Sequence, residues 1–250
     1  MLFLFWIKKH NTEVSSNSKT VIPLAMRDFA ILTYHDYLSE SVGSFTQGIK
    51  ELKQIPESID GNDRYYLEQA VKMRYKYSFL MIANSLEAAA NALLSSLHFK
   101  APQYDDIEKL STMLKFELFC KFKSSDLERG NAKYGQIKQL ITARNEFVHP
   151  KPKRIPYSIN DQTNDIEYNV QYTKGHRYPL YLYNFEDKHV VNALHDVLDF
   201  IGWICFDICK LSIKDGSLLL GLNSVGHNSD IYYIEREYDC KFDKRSMSVK

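Results

Sequence analysis

The chain has 250 residues, with 32 basic and 31 acidic side chains and a formal net charge of +1. That balance excludes a globally basic nucleic-acid binder, so any nucleic-acid site has to be a local patch. With 44% hydrophobic and 25% charged residues, the composition is that of a globular chain able to bury a sizeable core without disulfides or metals.

The apolar start, Met1 to Ile7, is too short to span a bilayer. Lys8 and Lys9 follow it, which reverses the charge order of a secretory signal. Residues 1–20 therefore read as a flexible N-terminal segment, with a Ser/Asn-rich linker over 8–20. No other apolar run reaches membrane-spanning length, so no membrane partner is expected. Four scattered cysteines, Cys120, Cys205, Cys209 and Cys240, make no disulfide framework and fit a reducing, cytoplasmic setting.

Residues 21–212 read as one helical domain. The first helix runs from Pro23 to about Leu52, weakened at Gly43 and Gly48. Asp60-Gly61 marks a turn. The strongest helix runs from about Asp63 to Ser96. Tyr75, Phe79, Ile82, Leu86, Ala90, Leu93 and Leu97 form its apolar stripe at i, i+4, i+7 spacing. Asn84, Glu87 and Asn91 fall on another face. A further helix begins near Asp105, where acids suit a helix N-terminus, and continues to Phe122. After Gly130 a helix spans about Tyr134 to Val148, ended by Pro150.

Over 165–184 the period changes to alternation, with Ile166, Tyr168, Val170 and Tyr172 on one face. A turn at Lys174-Gly175 and a return over Tyr178–Tyr183 complete a small inserted β-hairpin. The last long helix spans Asp187 to Leu211, striped by Val190, Leu194, Val197, Ile201, Ile204 and Ile208. Residues 213–250 read as a C-terminal extension. Phe79, Ile82, Leu86, Ala90, Leu93, Leu118, Ile141, Val197 and Ile201 are expected to share one core.

The chemistry concentrates in Arg144-Asn145-Glu146-Phe147-Val148-His149. Ile137, Leu140, Ile141 and Val148 define an apolar stripe, and Arg144 lies inside it. A guanidinium stays charged and is costly to bury alone, so it must meet a carboxylate, an interface or an anion. The candidate structural partners are Glu87 and Glu117. His149 stands at the helix C-terminal end, where the dipole favours a cation, or simply caps the last carbonyls. A fixed cation beside a proton-exchanging imidazole suits phosphodiester cleavage. Lys151, Lys153 and Arg154 follow as candidate RNA-phosphate contacts.

Arg144-Asn145-x-x-x-His149 at a helix end resembles the HEPN superfamily motif: arginine, a polar residue, three variable residues, histidine. The preceding helix, Phe79 to Leu97 with Glu87 and an Ala-rich centre, resembles the helix that precedes that motif. The resemblance covers about residues 63–212, interrupted by the hairpin. It implies a mainly α fold, an antiparallel four- to five-helix bundle. Its implied activity is that of a metal-independent endoribonuclease of bacterial defence or a toxin–antitoxin pair. The cleft would be shared within a homodimer, and the implied partners are RNA and an antitoxin protein. On this resemblance Arg144 and His149 are catalytic, Asn145 orients them, and Glu87 is a candidate orienting carboxylate. No cofactor and no metal are implied. The alternative is a catalytically inactive helical interaction or dimerisation module in which Arg144 is structural.

Other residues read plainly. Cys205 and Cys209 are spaced i, i+4 but lack further ligands, so they are small buried hydrophobes. His189 and His195 lack metal-site spacing and read as surface or edge residues. The sequence shows no phosphate-binding glycine loop, nucleophile elbow or zinc ligand set.

Overall fold

A computed structural model of the chain describes residues 24–97, 99, 101–149, 157–159, 166–168, 171–173, 177–181, 185–220 and 228–247. The protein is mainly α. The N-terminal segment and the Lys151–Arg154 stretch lie outside the described residues.

Helix α1 (Leu24–Gln54) and helix α2 (Gly61–Ser95) pack along one another as a helical hairpin across a short connection. Asp60 caps α2, accepting from the Asn62 N–H. Gly48 makes the crossing close, because a Cβ there would lie 2.8 Å from the Tyr75 ring. From Phe79 on, α2 is buried over most of its circumference, leaving a partly exposed strip through Asn84, Glu87 and Asn91. Ala88, Ala89, Ala90 and Ala92 are covered, as small residues allow where helices approach closely.

The expected helix from Asp105 to Phe122 is two helices, α3 (Ala101–Glu108) and α4 (Thr112–Phe122). Ser111 divides them. Its hydroxyl accepts from the Leu114 N–H, and this side-chain cap restarts the helix at Thr112. Helix α5 (Ala132–Val148) starts at an Asn131 cap and presents Tyr134, Ile137, Leu140, Ala143 and Phe147 to the core.

Between α5 and the next long helix, β1 (Tyr157–Ile159) pairs antiparallel with β2 (Ile166–Tyr168), Tyr157 opposite Tyr168 and Ile159 opposite Ile166. The alternating segment thus finds its partner upstream. Further on, a single bridge joins Tyr172 and Pro179, flanked by Thr173 N–H to Tyr178 O and Leu180 N–H to Gln171 O, both 2.7 Å. Arg177 and the Tyr178 hydroxyl both donate to the buried carboxylate of Asp196, pinning this connection to the bundle.

Helix α6 (Asp187–Gly202) is the second central element, and α2 and α5 both pack on it. The expected helix to Leu211 changes character after Gly202. Trp203–Ile208 is π-helical, closed by a Cys209 N–H to Ile204 O bond. The chain then adds α7 (Ile213–Leu220) and α8 (Asn228–Glu237). Leu219, Leu220, Ile231, Ile234 and Phe242 join the same core as α2 and α6, so the segment after 212 is built into the bundle.

Of the expected core, Phe79, Ile82, Leu86, Ala90, Leu93, Val197 and Ile201 are fully buried, while Leu118 and Ile141 pack against it half-covered. Phe79 is a hub, its ring centroid 4.9 Å from Phe185, 5.3 Å from Phe147 and 5.5 Å from Tyr178.

Candidate functional site

The apolar face of α5 carries Leu140, Ala143 and Phe147 inward, and Arg144 falls at the edge of that face, half-buried. Its guanidinium donates to two amide oxygens. Nη1 reaches Asn145 Oδ1 at 3.1 Å, and Nη2 reaches Asn84 Oδ1 on α2 at 3.3 Å. Both acceptors are neutral. Neither carboxylate suggested by the sequence takes this cation. Glu117 is held by Arg129 (2.7 Å) and by the Tyr134 hydroxyl (2.8 Å). Arg129 accordingly holds the Glu117 carboxyl below its ordinary range, ahead of the opposing effect of burial. Glu87 accepts from the Thr112 hydroxyl and from the Lys115 ammonium.

Arg144, its two amide partners, Glu87 and Thr112 line one open cleft of about 410 Å³ between α2, the start of α4 and α5. Asn84 and Glu87 line it from α2, Ser111 and Thr112 from the capped end of α4, and Ile141, Arg144 and Asn145 from α5. A second depression of about 340 Å³ shares Ser111, Met113 and Ile141 with it and extends along α4 and α5 toward Lys138. Lys115, buried behind the cleft, holds Glu87 at its rim.

Of the residues singled out from the sequence, the fold brings Arg144, Asn145 and Glu87 to the same cleft. His149 is not among its lining residues. It is the exposed C-cap of α5, with φ −126° and ψ 64°, and its backbone N–H bonds Asn145 O at 2.9 Å. Five residues of helix set it roughly 140° around the axis and about 7.5 Å along it from Arg144. The structure adds Asn84, Ser111, Thr112 and Lys115. Asn84 was legible as a polar residue interrupting an apolar run. Lys115 carried no such signal, because its partner Glu87 is 28 positions away.

Chemically, the cleft presents a permanent cation whose described partners are uncharged amides, alongside hydroxyls from a helix start. That arrangement can hold an anionic oxygen. Among the described residues no group of three or more His, Cys, Asp or Glu gathers as a metal site, and no helix is long and apolar enough to cross a membrane. Comparison of the chain with protein-family models, curated proteins and solved structures finds no match.

Proposed function

We propose that the protein is a HEPN-like RNA-binding endoribonuclease that engages a phosphodiester in the Arg144 cleft. The observation that carries this reading is the Arg144 guanidinium at an open cleft, bonded to the Asn84 and Asn145 amides and to no carboxylate among the described residues. A buried structural arginine is ordinarily neutralised by an acid. Here the acid nearest in role, Glu87, is committed to Lys115 and Thr112.

In this reading the bundle is HEPN-like, and the paired segments between α5 and α6 are an insertion into it. Arg144 stabilises charge on the phosphorane oxygens, Asn145 and Asn84 aim it, and His149 moves the proton of the substrate's own 2′-hydroxyl. Because His149 lies outside the cleft of its own chain, a homodimer that supplies the histidine across a two-fold axis is part of the proposal. The surrounding biology, bacterial defence or a toxin with an antitoxin partner, follows from the motif's resemblance alone.

The exposed position of His149 favours a second reading: an interaction module that binds through Arg144 without cutting. Cleavage of a labelled RNA by wild type, Arg144→Ala, Arg144→Lys and His149→Ala decides between them. The nuclease reading expects products ending in a 2′,3′-cyclic phosphate, inert DNA and no cleavage by any variant. Arg144→Lys fails because an ammonium lacks the planar fork. Activity surviving in His149→Ala removes the histidine from the mechanism.

A further inference from the structure

The N-terminal half of α2 leaves a broad face unburied. Tyr66, Met73 and Tyr77 are 69%, 61% and 44% exposed, a large aromatic and thioether surface on one helix. With Ala70 they follow i, i+4, i+7, i+11 spacing and form a single row. Seven residues beyond Tyr77, in register with that row, stands Asn84, which accepts from Arg144. The exposed row therefore points along α2 into the candidate cleft, over a path of about 27 Å from Tyr66 to Asn84.

A second row, Tyr65, Gln69, Lys72 and Lys76, runs beside the first. Lys72 and Lys76 are four apart on the helix and form no ion pair among the described residues. Burial, and then the charge on Lys72, lower the pKa of Lys76. On the other flank, Arg74 is neutralised by Glu51 through bonds of 2.6 and 2.9 Å. A groove of about 750 Å³ lies there, between Met73 and Tyr77 of α2 and Gly43 and Gln47 of α1. Two tyrosine rings and a thioether, with lysines that form no ion pair among the described residues along one edge and the carboxylates Glu40 and Glu51 along the other, match a strand whose phosphates keep to the lysine side.

We propose that this face of α2 is a stacking track for single-stranded RNA, with Tyr66, Met73 and Tyr77 receiving bases and Lys72 and Lys76 receiving phosphates, and that it delivers the strand to the Arg144 cleft. The proposal rests on the RNA reading of that cleft. A second copy of the chain is the poorer occupant, since a two-fold axis crossing this stretch near Lys72 would set like charges toward one another. A duplex is poorer too, because its bases are stacked on one another and cannot lie on tyrosine.

The test is fluorescence anisotropy with labelled oligouridine and an RNA duplex, alongside a cleavage assay and sedimentation. Wild type is expected to prefer oligouridine to the duplex. Tyr66→Ala/Tyr77→Ala should weaken oligouridine binding by about tenfold or more, as the loss of stacked bases does. Lys72→Gln/Lys76→Gln should reduce the steepness of log affinity against log salt by roughly 1.4, because counterions are no longer released from two single-strand phosphates. Arg144→Ala should lose cleavage while keeping most of the binding. Unchanged binding in the tyrosine variant, with wild type still cutting RNA, overturns the track and leaves the cleft reading intact. Tyrosine-dependent binding by a wild type that never cuts supports the track and removes the nuclease. A wild-type dimer that the tyrosine variant dissociates assigns the face to a second copy and overturns the proposal.

Discussion

Asn84 and Arg144 stand 60 positions apart and meet at 3.3 Å, amide oxygen to guanidinium, across the seam between α2 and α5. The contact joins a helix that is mostly core to the motif helix, and among the described residues no carboxylate joins it. A single charge-assisted hydrogen bond of 3.3 Å at a half-exposed, solvent-screened site contributes little to stability. Arg144→Ala and Asn84→Ala are each expected to cost about 1 kcal/mol or less in urea unfolding. A loss of roughly 3 kcal/mol or more would make the arginine a structural strut and favour the binding-module reading.

Glu87 and Lys115 behave oppositely. The lysine side chain is 2% exposed and the glutamate 45%. Glu87→Ala strands a buried ammonium, and because Glu87 itself is partly solvated the expected cost is about 1–3 kcal/mol. Lys115→Met removes the charge that needs the partner, so adding it to Glu87→Ala should restore most of that loss. Additive losses in the double variant would show that the two side chains are uncoupled.

The bundle assignment can be tested at its centre. Leu86 is completely buried on α2. Leu86→Ala should cost about 2–5 kcal/mol through lost burial and an unfilled cavity. Calorimetry or chemical unfolding showing less than roughly 1 kcal/mol would place Leu86 outside a packed core.

His189, expected from the sequence at the surface or an edge, is instead buried at the start of α6 and supplies a pH dependence. Its ring is buried, and the unprotonated Nδ1 accepts from the Glu186 N–H at 2.9 Å, closing the start of α6. Burial lowers its pKa from the ordinary value of 6.5. The unfolded chain therefore binds the proton more readily, and stability falls as pH drops through 6.5 toward the folded value. Above 6.5 the contribution is fully present. His189→Gln keeps an acceptor at the same capping position without titrating, so it should flatten this part of the urea-midpoint profile. An unchanged slope in that variant would remove His189 as its source.

The thiols of Cys120 and Cys209 share a hydrogen bond at 3.8 Å. That bond, and then the nearby Lys123 charge against the effect of burial, lower the pKa of Cys209, while the bond and burial raise that of Cys120. Burial also raises the pKa of Cys205 and Cys240. Only thiolates alkylate quickly, so Cys209, which is partly exposed, should react first with iodoacetamide in the native protein. Peptide mapping that finds Cys240 modified ahead of Cys209 would contradict this order.

Local rules were readable along the chain because they act within one helical turn. The stripe from Tyr75 through Leu93 marked α2 and its buried face, and Pro150 placed the end of α5. Periodicity alone put Arg144 inside the apolar stripe of its helix; the structure sets it at the edge, because Ala143 and Phe147 carry the buried face and Val148 is exposed. Asn84 and Glu87 were visible as polar residues in an apolar run, but their partners were not. Which side chain meets Arg144 depends on how α2, α4 and α5 are rotated against each other, and the summed packing of the core sets that rotation. The same packing gives Glu87 to Lys115 rather than to Arg144, holds His149 away from the cleft of its own chain, and widens the helix after Gly202 into a π-turn. It also draws Ile231, Ile234 and Phe242 back into the core from a segment whose turn residues resembled an extension. Spacing in sequence reports only neighbours a few residues apart, whereas the cleft joins Asn84 to Arg144, 60 positions apart, so its membership was decided by tertiary contact.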